Sequence, residues 1–440
     1  MHMQKRSLLV PMVAAVIVAL AAGCGASSVK ASMDAPPAAA AAVPPPAADA
    51  AVPPPAADAA VPPPAADAAV PPPAADAAVP LSDGTAPDRA PDLAPDTASG
   101  PGVFATTGDM LEPRESHAAV LLANGRVLIV GGHNDSGYLA SAELYDPATG
   151  AFTATGAMTT DRDVPTATLL ASGLVYVAGG STMKTDGGTN PYLRSAELYD
   201  PAAGTFTATD TMHFNRQRPS ATLLDNGKVL VAGGYGGPDA TKSFELYDPA
   251  TGTSSEYVRS GGLMSGPRYG HTAVRLANSQ VLIVCGTGTY DNRTTELYDP
   301  VSNTFARTGE LTTPRTACTA TLLGDERVLV TSAGTATDSA ELFDPQSGTF
   351  TATGAMTLAR AYPTAASLPS GKVLVAGGTD GTVALQAAET YDPATGTFTA
   401  TASMHQARLG HTATTLANGK VLIAGGYDGS SHLAGAELYF

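Results

Sequence analysis

The stretch R-A-Y-P-T-A-A-S-L-P-S-G-K-V-L-V-A-G-G runs from Arg360 to Gly378. After a short variable segment it continues as A-E-T-Y-D-P-A-T-G-T-F-T-A-T-A-S-M, from Ala388 to Met404. It is the cleanest copy of a unit that recurs along the chain, and a period of roughly 50 residues marks a repeat architecture. Three landmarks register the copies. Arg114, Arg162, Arg216, Arg268, Arg315, Arg360 and Arg408 each stand three residues before a short apolar run. A Gly-Gly landmark follows at Gly131, Gly179, Gly233, Cys285, Ala333, Gly377 and Gly425, where Cys285 and Ala333 are each followed by a glycine. E-L-Y-D-P or a close variant begins at Glu143, Glu197, Glu245, Glu296, Glu341, Glu389 and Glu437, so each landmark occurs seven times.

Inside a unit the pattern is that of short strands. H-T-A-T-T-L, from His411 to Leu416, reads as a first strand, Ala417-Asn418-Gly419-Lys420 as a tight hairpin, and V-L-I-A-G-G as a second strand. A-E-L-Y is a third, ended by Asp-Pro because proline cannot donate in a sheet ladder. T-F-T-A-T is a fourth. Four strands at this period, with the Arg, the Gly-Gly and the Tyr-Asp-Pro recurring in order, resemble the kelch motif, whose units are blades of a β-propeller. The resemblance covers residues 103–440 and implies an all-β, seven-bladed propeller of four-stranded blades. Kelch units usually carry Trp in the fourth strand. This chain has no Trp and places Phe152, Phe206, Phe305, Phe350 and Phe398 there, which implies a thinner core between blades.

The chain stops at Glu437-Leu438-Tyr439-Phe440, a third strand without a fourth, while Val103–Met110 matches the fourth-strand stretch Thr397–Met404. The N-terminal strand is therefore expected to complete the seventh blade and leave no open radial edge.

Ahead of the repeats, residues 1–23 read as a signal peptide: Lys5 and Arg6 precede an apolar run too short for a membrane span. Leu20-Ala21-Ala22-Gly23-Cys24 resembles a bacterial lipobox, which implies cleavage before Cys24 and acylation of its thiol. Gly25 in place of Asp then implies an outer-membrane lipoprotein, facing the periplasm or the surface. Residues 24–102 form a Pro/Ala-rich tether in which V-P-P-P-A-A-D-A-A repeats from Val43, Val52, Val61 and Val70. Proline triplets favour polyproline II and nothing here can build a core, so a disordered spacer is expected. The net charge of −16 over 440 residues offers no basic surface, which excludes nucleic acid as a partner.

Alternating strand direction sorts the loops onto two ends. The first-to-second hairpins and third-to-fourth turns are near-identical between units; the second-to-third loops vary, and variation on a rigid frame is where binding resides. Tyr138, Tyr192, Tyr235, Tyr290 and Tyr427 are the expected exposed contact residues, assisted by Arg194, Arg293 and Lys184. The seven arginines and seven glutamates are expected to form structural ion pairs rather than a cationic ring. His117 and His411 stand at equivalent positions of adjoining units and are the weak candidates for a metal. Cys285 and Cys318 could pair after export, with the distance between blades left open.

These residues point to an exported, lipid-anchored, non-catalytic binding or scaffold module that presents loops to an envelope protein or glycan and needs no cofactor. An enzyme is the alternative. Kelch propellers resemble the central domain of galactose oxidase, whose chemistry implies a tyrosine crosslinked to cysteine with tyrosine and histidine ligands, and bacterial kelch proteins include sugar isomerases. No matching catalytic set stands in this sequence. A purely structural envelope protein is the third reading.

Overall fold

The computed structural model describes residues 102–183, 191–237, 239–257, 262–288 and 292–440. The signal segment, Cys24, the tether, Lys184 and Tyr290 lie outside the described residues. The described chain folds into seven four-stranded antiparallel sheets, each a blade of one β-propeller. Blade 1 runs from Ala118–Leu121 through Val127–Val130 and Ala142–Asp146 to Ala151–Ala154, and blades 2 to 6 repeat that order. Blade 7 takes three strands from the C-terminus and its fourth, Phe104–Thr106, from the N-terminus. The closing register pairs Phe104 with Tyr439 and Thr106 with Glu437.

The second strand reads as an uninterrupted apolar run in every blade but the fifth, which ends it with the buried Thr331, because both its faces meet a neighbouring blade; Val127, Leu128, Ile129 and Val130 are all fully buried. The hydrophobic core is accordingly split into seven clusters, each shared by two adjoining blades. Phenylalanine in the fourth strand packs on the third-strand aromatic of its own blade, as in Tyr145–Phe152 at 4.8 Å and Tyr391–Phe398 at 4.8 Å between centroids. Blade 3 has Ser254 at that place. Tyr176 of blade 2, where the other blades carry leucine, fills the space by stacking on Tyr247 at 4.2 Å.

Each repeat arginine is buried and meets its glutamate: Arg114–Glu143, Arg162–Glu197, Arg216–Glu245, Arg268–Glu296, Arg315–Glu341, Arg360–Glu389 and Arg408–Glu437, all at 2.7–3.0 Å. The second guanidinium nitrogen donates to the backbone carbonyl 17 residues on, which is Gly131 O for Arg114 and Gly377 O for Arg360. That rule corrects the register of blade 5. Arg315 donates to Ser332 O, so Ser332-Ala333, not Ala333-Gly334, is its Gly-Gly equivalent. Ser332 takes the left-handed φ of 70° that glycine supplies in every other blade but the fourth, where Cys285 holds it.

Cys285 and Cys318 form a disulfide with their Cα atoms 6.2 Å apart. The two strands approach because the first residue of the Gly-Gly landmark faces the third residue after the arginine of the next blade, as Gly131, Gly233, Gly377 and Gly425 also do. A Cβ on Gly233 would lie 2.7 Å from His271, and one on Gly377 would lie 2.6 Å from His411. Blade 4 replaces that glycine with Cys285, and blade 5 supplies Cys318 opposite it.

Candidate functional site

Two backbone positions build the propeller mouth. In every blade but the fifth, the residue after the arginine pairs with the residue after the Gly-Gly landmark in an antiparallel bridge: Glu115 with His133, Asp163 with Ser181, Gln217 with Tyr235, Tyr269 with Thr287, Ala361 with Thr379, and Leu409 with Tyr427. The arginine before the first position and the glycine before the second are the same in all six of these blades, whereas the bridged residues differ. The frame is repeated and the mouth is individual.

Between blades 7 and 1 the mouth carries a cluster of imidazoles and carboxylates. His133 is held by its bridge to Glu115 and by a two-residue hairpin with Gly137–Tyr138. Its Nδ1 lies 2.8 Å from Asp163 Oδ1 and its Nε2 lies 3.1 Å from Glu115 Oε1. His432 comes from the second-to-third loop of blade 7, where Asp428 Oδ1 accepts hydrogen bonds from the Ser430 and Ser431 amides and shapes the turn. Its Nδ1 lies 3.0 Å from Asp135 Oδ1 and its Nε2 lies 3.4 Å from the same Glu115 Oε1. Gly410 has a φ of 65°, and a Cβ there would sit 2.6 Å from Glu115 Oε2, so glycine leaves room for this carboxylate. Burial by itself lowers the His133 pKa; its hydrogen bonds to Asp163 and Glu115 and their charges outweigh that and raise it to about 9. The environment favours positive charge.

In the next three blades, Tyr192, Tyr235 and Tyr269 from blades 2, 3 and 4 meet edge to face, at 5.1 Å and 5.4 Å between centroids. Tyr138, Tyr192, Tyr235 and Tyr427, expected to be exposed, are half-buried instead. Each stands at or beside a bridged backbone position, and its ring packs on a neighbouring aromatic or imidazole. Arg194 and Arg293 are exposed, at the bases of the second-to-third loops. Sequence reasoning missed Tyr269 and His432; the available signal was that Tyr269 directly follows a repeat arginine, the place that varies. A groove of about 620 Å³ between blades 6 and 7, lined by Pro369, Asn418 and Phe440 among others, opens at the opposite, uniform end.

His117 and His411 do not make a metal pair. His117 Nε2 is 2.9 Å from Thr412 Oγ1 and His411 Nε2 is 2.8 Å from Thr364 Oγ1, so each links its blade to the preceding one. His271 makes the same link to Ser220 Oγ at 2.9 Å. Burial, followed by the charge of a nearby repeat arginine, lowers all three pKa values to about 3. Unfolded histidine takes its proton near pH 6.5, and these folded ones refuse it until about pH 3. The unfolded state therefore binds more protons across that window, and stability falls as pH falls through it. Denaturant unfolding between pH 6.5 and 4.5 should show this slope, and His271→Gln, which removes one of the three, should reduce it by about a third; an unchanged slope would refute the assignment.

A family model for the Kelch motif matches residues 116–159, 218–257 and 360–405. The matched segments lie in blades 1, 3 and 6 of the seven. The chain is a kelch-repeat β-propeller. This kelch propeller is similar in fold to a solved fungal alcohol oxidase of the AA5 family in complex with copper. The TM-score is 0.63 and the identity 19%, over 77% of this chain and 76% of that one. No curated protein matches the sequence.

Proposed function

We propose that this kelch propeller is an exported binding module, anchored through lipid on Cys24 at the outer membrane, that captures an envelope protein or glycan at its loop-bearing mouth. The observation that carries this reading is the contrast between the two ends: residue identity varies where the bridged positions converge and is uniform at the hairpin end. Exposed apolar side chains follow the same division. Among the described residues, Leu111, Met183, Phe214, Leu358 and Val383 stand on the loop-bearing end and only Val301 stands on the other. Such a distribution favours a partner there. The tyrosine group supplies broad, rigid contact area at small entropic cost. The disulfide favours an oxidising compartment, in keeping with export. An oxidase of the galactose oxidase type is not favoured, because the two described cysteines are bonded to each other and neither is free to crosslink a tyrosine.

The test is capture by the full-length chain from a glycan array and from crosslinked envelope fractions. Tyr192→Ala with Tyr235→Ala should lower capture at least tenfold while thermal melting moves only slightly. Undiminished capture would move the contact away from this end of the propeller.

A further inference from the structure

We propose that Glu115, His133 and His432 form a binding site for a single zinc-class divalent metal ion, closed between blades 7 and 1. One carboxylate oxygen and two imidazole nitrogens, all within 4.8 Å of one another, face a common point. Tetrahedral zinc with nitrogen and oxygen ligands at ~2.0–2.1 Å places neighbouring ligand atoms ~3.3 Å apart. The two separations to Glu115 Oε1, 3.1 Å from His133 and 3.4 Å from His432, already have that spacing.

The orientation of the rings is an independent observation. Both histidines present Nε2 inward and give Nδ1 to a carboxylate, Asp163 for His133 and Asp135 for His432. A carboxylate on the outer nitrogen keeps the Nδ1 proton in place and makes Nε2 the ligating nitrogen, the usual second layer of a histidine metal site; binding displaces the Nε2 proton that His133 otherwise gives to Glu115. Charge points the same way. Three carboxylates surround two imidazoles, and among the described residues no lysine or arginine pairs with Glu115, Asp135 or Asp163. A dication supplies the balance. Two imidazole donors favour zinc, copper or nickel over calcium, which prefers oxygen alone. The ligand side chains keep 10–16% of their surface open, so an ion can reach the site from the mouth. The set is distinct from His117 and His411, and it does not depend on what the mouth captures.

The untagged full-length chain, stripped with chelator and then dialysed, is titrated with zinc ions against a chromophoric competitor. One equivalent is expected to bind, and excess calcium should not displace it. His432→Ala and Glu115→Gln should abolish stoichiometric binding. Asp163→Asn, which removes only the orienting carboxylate, should weaken it ~10–100-fold. Melting of each variant in chelator checks that the propeller is intact. Should a variant fail to fold, X-ray absorption at the zinc edge of the loaded wild-type chain decides: paired imidazole scattering supports the site. No stoichiometric zinc, equal binding by His432→Ala, or a spectrum without two imidazoles overturns the proposal.

Discussion

Arg360→Met is expected to destabilise the propeller by about 3–5 kcal/mol, the cost of leaving a buried charge without its partner. Arg360 is fully buried and donates to Glu389 Oε1 at 2.7 Å, to Gly377 O at 3.1 Å and to Ala387 O at 2.8 Å. Without it, Glu389 keeps only the Thr357 amide at 2.6 Å and the Thr357 hydroxyl at 3.0 Å. Met fills much of the volume, so the loss is one of charge and hydrogen bonding rather than of packing. Arg360→Met with Glu389→Leu removes both charges and should recover part of the loss. A residual ~1–3 kcal/mol should remain for Gly377 O, which is left without a donor, whereas Ala387 O still accepts from the Gly377 amide at 3.1 Å. Denaturant unfolding of the two single variants and the double variant checks this. A single variant as stable as the wild type would show that the pair does not hold the blade.

Replacing both Cys285 and Cys318 by alanine is expected to cost about 3–4 kcal/mol by the chain-entropy relation for a loop of 33 residues. For a domain of this size that is a fall in melting temperature of roughly 5 °C. The bond ties blade 4 to blade 5 where three other seams place glycine against histidine, Gly233 with His271, Gly377 with His411 and Gly425 with His117. Cys285→Gly with Cys318→His would install that alternative contact. It would also free position 285 from holding a side chain at a φ of 65°. This pair should therefore lose less than the alanine pair when compared by thermal melting. Equal losses would show that the bond, and not the contact, is what the seam requires.

The fold was legible because the repeat states it seven times. An arginine, a Gly-Gly and a Glu at fixed offsets define strand order within each blade, and the unpaired third strand at the C-terminus asks for its partner at the N-terminus. The Arg–Glu pairs were legible for the same reason, since both partners lie inside one unit. Blade 5 was misregistered by one residue. Ser332 takes the backbone conformation of glycine without being one, and only the hydrogen bond from Arg315 reveals the equivalence.

What stands between blades was not legible. Cys285 and Cys318 gave no sign of their separation, because within-unit patterns carry no distance from one unit to the next. For the four described tyrosines, Tyr138, Tyr192, Tyr235 and Tyr427, the expected exposure overlooked that a paired backbone turns their rings onto neighbouring rings at the mouth. Glu115, His133 and His432 share no local motif. Thus composition and periodicity by themselves determined the blades, their number and their closure, since each blade is set by hydrogen bonds and packing between residues near in sequence. The individual chemistry of the mouth was decided by tertiary structure alone, because closing the ring brings His432 of the last blade against Glu115 of the first.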